Sequence, residues 1–263
     1  MEALILREDQ GHVARLILNS PANYNALSIE MIDALTAAFR TIAADDNIRA
    51  VILAANGKAF SAGHDLRQMQ SGRTDADGGR AKFEDLFGRC AQMMQMIPAL
   101  PQPVIAEVQG IATAAGCQLV ASCDLAIASE GQRFGVNGVN IGLFCSTPMV
   151  ALSRAIPTKA AFEMLTTGDF ILSDHALQLG LLNRVVPADQ LSATALEMAQ
   201  QIASKLPAAV RMGKRAFYEQ LNQGLGAAYQ IGGTAICENI MLPDTDEGIT
   251  AFLEKRTPGW AKR

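Results

Sequence analysis

Two glycine-bearing turns carry the best case for chemistry in this 263-residue chain. Ala59-Phe60-Ser61-Ala62-Gly63-His64-Asp65-Leu66 follows an apolar run that ends at Ala54. Gly110-Ile111-Ala112-Thr113-Ala114-Ala115-Gly116-Cys117-Gln118 follows another that ends at Val108, and it opens a helix. Small residues let backbone amides approach a ligand closely, and a helix N-terminus adds partial positive charge. Two such amides converging on one point would form an oxyanion hole, a site where developing negative charge on oxygen meets fixed donors. Other catalytic signatures are missing from the chain: no Gly-x-Ser-x-Gly elbow, no Walker-type phosphate loop, no Gly-x-Gly-x-x-Gly after a strand and no His-Glu-x-x-His. The cysteines at 90, 117, 123, 145 and 237 form no Cys-x-x-Cys pair, and His12, His64 and His175 lie far apart. That spacing argues against a zinc site or a disulfide framework, so no metal ligands are assigned.

The surrounding composition is that of a globular α/β protein. Hydrophobic residues make up 49% and charged residues 18%, enough apolar material for one large core and too little charge for a disordered chain. The 22 basic residues against 26 acidic ones leave a net charge of −4, and no local block of Lys and Arg offsets it, so nucleic acid is not an expected partner. The first nine residues place acids where a secretory leader needs positive charge, which favours a cytoplasmic protein. The uncharged stretch 134–153 is long enough to span a bilayer. It holds Asn137, Asn140, Pro148 and three glycines, however, and reads as buried loop and helix.

The elements that must position the two turns can be read from periodicity. Residues 4–7 and 13–18 predict a hairpin closed at Asp9 to Gly11, and 48–54, 104–108 and 125–128 predict buried strands. Ser28 is a helix cap, with Ile32, Leu35, Phe39 and Ile42 on one face of the helix it starts. Residues 110–114 read as a small-residue loop and 115–122 as a short helix. The recurring strand–strand–helix unit predicts a stacked spiral rather than an alternating barrel. Residues 67–80, polar and glycine-rich, read as a loop, either a lid beside the site or a surface excursion. After Pro187 four helices follow, over 189–206, 208–221, 224–241 and 246–256. The expected organisation is a spiral core over 1–200 and a helical region over 201–263 that packs on the core or on another subunit.

Taken in order, several stretches make the chain resemble the crotonase superfamily, the enoyl-CoA hydratase/isomerase family. They are Pro21-Ala22-Asn23-Tyr24-Asn25-Ala26-Leu27, Phe60 to Leu66, Ala115-Gly116-Cys117-Gln118-Leu119 with Cys123-Asp124, and Phe134-Gly135 with Gly142-Leu143. Thr167-Gly168 with Ala176 and Gly180-Leu181, then Phe252-Leu253-Glu254-Lys255-Arg256, complete a match over nearly the whole chain. The resemblance implies a spiral of ββα units, trimers often paired into hexamers, and a coenzyme A thioester as substrate rather than a resident cofactor. It implies that the thioester carbonyl sits between the backbone N–H groups of His64 and Ala115. It further implies CoA contacts near Ala22, Ala26, Ala62, Asp65, Leu66 and Gly116, and from Phe252 and Lys255 of a neighbouring subunit. Ala22 stands where many relatives carry a basic residue, and Phe252 and Lys255 also fit an ordinary amphipathic helix.

The family's hydratases use two glutamates, and this chain has Gln118 at the first position and Gly138 at the second. An amide does not titrate near neutrality and glycine has no side chain, so two-acid hydration is unavailable. Substitutes are open at this stage. Cys145, near a helix N-terminus, is either a partly ionised thiol or a small buried hydrophobe. The His64 side chain is either an acid/base group or a solvated loop residue, and Gln118 can orient a water or an acyl substituent. Asp65 reads as a clamp on the turn; Glu107, Asp124 and Glu163 match no catalytic position. The expectation is an acyl-CoA enzyme of fatty acid metabolism, a hydratase-like lyase or isomerase with weak or altered hydratase activity. The alternatives are a non-catalytic acyl-CoA binder and naphthoate-synthase-like chemistry with an external base, which fits only in part because Val136 stands where that branch has glutamine.

Overall fold

A computed structural model describes residues 3–262, with side chains to residue 260; Met1 and Glu2, which begin the leader reading, lie outside the described residues. A hairpin of β1 (Ile5–Gln10) and β2 (Val13–Leu18) opens the chain, turning at Gly11, whose φ is positive. Helix α1 (Ile29–Ala43) follows, its Ser28 side chain accepting from the Met31 N–H as a cap. Three strand–strand–helix units come next: β3 (Ala50–Ala55) and β4 (Ala59–Ser61) with α2 (Leu66–Gly72) and α3 (Arg80–Ala99); β5 (Val104–Val108) and β6 (Ile111–Thr113) with α4 (Ala115–Ser122); β7 (Leu125–Ser129) and β8 (Arg133–Gly135) with α5 (Pro148–Ala155) and α6 (Thr158–Thr167). A last partial unit holds β9 (Ile171–Leu172), α7 (Ser173–Leu179) and β10 (Arg184–Val186).

In the three full units the first strand joins one sheet, ordered β1-β2-β3-β5-β7-β10, and the second joins another, ordered β4-β6-β8-β9; in the last unit β9 joins the smaller sheet and β10 the larger. Apart from the two antiparallel end pairs, β1 with β2 and β8 with β9, every pairing is parallel, so the chain winds as a spiral of ββα turns. Alternation along the strands sorts side chains to two cores. Val104, Ala106 and Val108 of β5 face the main core with Leu35, Phe39, Phe60, Leu119 and Phe134. Ile105, with Val13, Ile52 and Ile127, faces α8 (Leu191–Ala203), which lays Leu191, Ala195, Met198 and Ala199 across the outer face.

Four sequence expectations are corrected. The first part of the 67–80 loop is α2, because Asp65 accepts from the Arg67 and Gln68 N–H groups and caps a helix; residues 73–79 form the turns that lead into α3. The 110–114 loop contains the short strand β6, which pairs with both β4 and β8. The uncharged 134–153 stretch is buried at Phe134, Gly135, Val136 and Gly138 and again at Cys145, Pro148 and Leu152. Its middle turns outward at Gly142, whose φ is positive, and exposes Ile141, Leu143 and Phe144. The division expected at residue 200 falls inside α8, a helix that covers the large sheet, so the helical extension starts later, at α9 (Pro207–Gln220).

From there α10 (Leu225–Ile240) and α11 (Pro243–Leu253) follow. The junction with the core is polar and buried: the Lys214 Nζ of α9 donates to the Ile97 and Gln102 carbonyls and, at 2.6 Å, to Asp124 Oδ2. Tyr218 donates its hydroxyl to Asp124 Oδ1 and the Val104 N–H donates to Oδ2, so the carboxylate beyond the end of α4 is fully engaged.

Candidate functional site

The two turns predicted from sequence lie side by side because the strands that lead into them, β4 and β6, are parallel neighbours, with Ser61 paired to Ala112. Their closeness is set by two glycines. A Cβ on Gly116 would stand 2.1 Å from the Ser61 carbonyl oxygen, and a Cβ on Gly63 would stand 2.9 Å from Ala114 Cβ and 3.0 Å from the Ala115 nitrogen. Gly63 also has φ +83°, so both space and backbone angle require glycine there. Ala114 bends the chain from β6 into α4 at φ 50°, ψ −120°, a conformation that strains a residue with a Cβ. Its N–H donates to the Gly135 carbonyl at 2.9 Å, which ties the bend to β8.

The turn after β4 is braced from the other side by the 20–27 segment. The Leu27 N–H donates to the Gly63 carbonyl at 2.7 Å, the Ala62 N–H to the Tyr24 carbonyl, and the Ser61 hydroxyl to the Asn25 carbonyl. Asn25 is fully buried and donates to the Asn56 and Ala59 carbonyls while accepting from the Ser20 N–H. Asn23 donates to Asp65 Oδ2 at 2.7 Å. Burial alone would raise the Asp65 pKa, but Asn23 and the Gln68 and Arg67 amides outweigh it and hold the carboxyl below its ordinary range. Within this network the Ala62 and Gly63 amides are used, whereas the His64 and Ala115 backbone N–H groups donate to no group among the described residues.

Unlike Asp65, the residues Gln118, Thr113, Asn137 and Gly138 carry no charge. Gln118, one turn into α4, is 4% exposed, and its Oε1 is buried without a hydrogen-bond partner. Thr113 donates to Asn137 Oδ1 at 2.6 Å, joining the end of β6 to the segment after β8. Gly138 is enclosed: a Cβ would stand 2.2 Å from the Leu143 carbonyl oxygen and 2.9 Å from Cys145 Sγ, and the Leu143 N–H donates to the Gly138 carbonyl at 3.0 Å. The position therefore lacks room for a side chain as well as lacking one.

Of the two readings open for Cys145, the structure fits the small buried hydrophobe: it is 7% exposed, and burial pushes its thiol above its ordinary pKa, desolvation outweighing the Gly138 N–H directed at it. One expectation about an acid/base group is corrected. His64 is not a solvated loop residue. Its Nδ1 lies 3.2 Å from the Leu27 carbonyl, which only accepts, so Nδ1 carries the proton. The ring packs edge-on against Phe87 of α3, its Nε2 is buried without a partner, and burial lowers its pKa so that the ring is neutral.

The other acids lie elsewhere. Glu107 faces the α8 side of the large sheet, paired with Arg15, and burial raises its pKa against that partner's pull. Glu163 is exposed on α6. Ala22 is exposed, Ala26 buried, Ala62 half-buried and Leu66 exposed around the turn after β4, while Gly116 is buried against it. Phe252 and Lys255, at the end of α11, are exposed and are not brought to these turns within the chain. Sequence reasoning missed the Asn23, Asn25 and Ser61 braces, the Thr113–Asn137 pair and the Phe87 contact. Asn25 was within the recognised stretch, but its three partners lie 5 to 34 residues away, a relation no local pattern carries.

Residues 8–263 match the family model described as enoyl-CoA hydratase/isomerase. The chain belongs to that family. Its spiral is the crotonase fold: an enoyl-CoA hydratase structure from Mycobacterium smegmatis superposes with a TM-score of 0.94 at 52% identity, covering 98% of this chain and 99% of that one. The structure of human enoyl-CoA hydratase domain-containing protein 3 superposes at 0.93 with 43% identity, covering 98% and 100%. Among curated family members, the mitochondrial enoyl-CoA hydratase domain-containing protein 3 of Xenopus laevis is 44% identical over 97% of this chain and 85% of its own length. The short-chain-enoyl-CoA hydratase of Clostridium acetobutylicum is 34% identical over 96% and 95%. The Xenopus name places that protein in mitochondria and lends no support to the cytoplasmic expectation for this one. No helix among the described residues is long and apolar enough to cross a membrane.

Proposed function

We propose that this family member binds acyl-CoA thioesters and stabilises a thioester enolate between the backbone N–H groups of His64 and Ala115, with hydration by the two-glutamate route disabled. The observation that carries the reading is the contact of the two turns: Gly63 against the Ala115 nitrogen and Gly116 against the Ser61 carbonyl, with two neighbouring amides left without partners. Amides fixed by strands and a helix N-terminus need no reorganisation when an enolate oxygen gains charge, and one such donor is worth about 100- to 1,000-fold in rate. The turn before Leu27 and the start of α2 would hold the CoA portion near Ala22, Ala26, Ala62, Asp65 and Leu66. Phe252 and Lys255 would come from a neighbouring subunit of a trimer, where an ammonium suits the nucleotide phosphates.

A hydratase also needs a general acid and base, a contribution of about 100- to 10,000-fold. Gln118 cannot supply it, Gly138 has no side chain, and the neutral Cys145 thiol and sealed His64 ring do not replace them. An external base seated at Gly138 is disfavoured by the Leu143 carbonyl and Cys145 thiol that fill that space. The test is to titrate the protein with butyryl-CoA by calorimetry and to follow hydration of crotonyl-CoA. Binding is expected, with hydration at about a hundredth or less of the rate of a two-glutamate family hydratase run alongside. Absence of binding would overturn the acyl-CoA reading; full hydratase turnover would overturn the account of the missing acids.

A further inference from the structure

Resting on the acyl-CoA reading, we propose that the substrates of this site are thioesters with a carboxylate on the α-carbon, and that the enolate is formed by loss of carbon dioxide rather than of a proton. An oxyanion hole without a base poses a chemical question: where does the enolate come from? Removing an α-proton requires a proton acceptor near the α-carbon. The groups gathered at the ends of β6 and β8 provide none, since Gln118 is an amide, Gly138 is bare, Thr113 and Asn137 are hydrogen-bonded to each other, and Cys145 is a buried thiol. The His64 ring spends its N–H on Leu27, and its other nitrogen is sealed beside Phe87. Nor can the second acid return by a small movement of a side chain, because backbone occupies the space beside Gly138.

Decarboxylation reaches the same enolate without a base. The bond between the α-carbon and the carboxylate breaks, its electron pair becomes the enolate, and the charge settles on the thioester oxygen between the His64 and Ala115 amides. Carbon dioxide leaves, the α-carbon takes a proton from water, and the hydroxide so formed combines with the carbon dioxide. The balance is α-carboxyacyl thioester plus water giving acyl thioester plus hydrogencarbonate. The same features that disable hydration suit this substrate. Two glutamates would repel a substrate carboxylate through their full negative charges, whereas the amide at 118 and the glycine at 138 carry none. A weakly polar surrounding also disfavours the charged carboxylate relative to the neutral carbon dioxide that leaves. Asp65, the one acid within the turns, is occupied by Asn23 and by the cap of α2.

The experiment incubates the full chain with malonyl-CoA and methylmalonyl-CoA in deuterated water, follows the thioesters by mass spectrometry, and titrates butyryl-CoA in parallel by calorimetry. The expected result is conversion to acetyl-CoA or propionyl-CoA carrying solvent deuterium at the α-carbon, at least about 100-fold above the rate without protein. Gln118→Glu, close to isosteric, is expected to lower that rate about tenfold or more, increasingly as pH rises and the introduced carboxyl ionises. Butyryl-CoA binding without carbon dioxide loss from either thioester would overturn this inference and leave the acyl-CoA reading standing; failure to bind any thioester would overturn both. A Gln118→Glu protein as fast as the parent would overturn the charge argument.

Discussion

Three residues show how the site has been shaped by space as much as by chemical type. Gly138 is where the family resemblance implies an acid, and here the Leu143 carbonyl lies 2.2 Å from where its Cβ would be. Gly138→Ala should therefore destabilise the fold by about 1–3 kcal/mol, as overpacking does, read as a lower melting temperature. Ala114 shows the opposite case, a Cβ in a strained bend at φ 50°, ψ −120°. Ala114→Gly should raise stability by about 1 kcal/mol, because relief of strain exceeds the added chain entropy; an unchanged or lower unfolding midpoint would contradict that. His64 gives a pH dependence. Burial lowers its folded pKa below the ordinary 6.5, so above about pH 6.5 the ring is neutral in both states. As pH falls below that value the unfolded chain takes up a proton that the folded chain refuses, and stability drops until the folded pKa is reached. The stability lost between pH 7.5 and 5.5 should be smaller in His64→Gln than in the parent, and equal losses would refute the buried, neutral ring. That positions 118 and 138 carry no acid was legible from residue type alone. The crowding at Gly138, the strain at Ala114 and the sealed His64 ring were not, because each depends on atoms that arrive from other segments.

At the scale of elements, the site is a consequence of parallel pairing in the small sheet, which brings β4 and β6 together and with them the turns that follow. The bounds of β5 and α4 follow from local pattern: a β-branched run bounded by Pro103 and Gly110, then small residues opening a helix at Ala115. The short strands β4, β6 and β8 escaped that reasoning because three residues carry no periodicity, and α2 was hidden in a polar, glycine-rich stretch whose helix signal is one aspartate cap. The long-range anchor between α4 and α9 was equally illegible, since Lys214 and Asp124 are 90 residues apart. Both side chains are largely buried, and Lys214, its pKa lowered by burial, satisfies three acceptors at once. Lys214→Met would leave the Asp124 carboxylate buried without its cation. It should cost about 3–5 kcal/mol, read by denaturant unfolding; a change below about 1 kcal/mol would show that α9 is not held to the core through this pair.

At the scale of the molecule, the core is finished and the C-terminal helices are not. α10 has no buried residue, yet it carries Leu225, Tyr229, Ile236 and Ile240, and Met241, Phe252 and Leu253 beyond it are also exposed. So much exposed apolar surface predicts self-association, and sedimentation should give a trimer or a pair of trimers that Ile236→Glu dissociates; a monomeric parent would contradict the expectation. The central claim concerns the two free amides, and it can be tested apart from any acid or base. Acetoacetyl-CoA enolises in water without an enzyme's help, and its enolate has its own near-ultraviolet band. At fixed pH, adding the protein should increase that band in proportion to bound ligand, because the His64 and Ala115 N–H groups favour the enolate oxygen over the ketone. Acetoacetyl-CoA that binds with no growth of the enolate band would contradict the account.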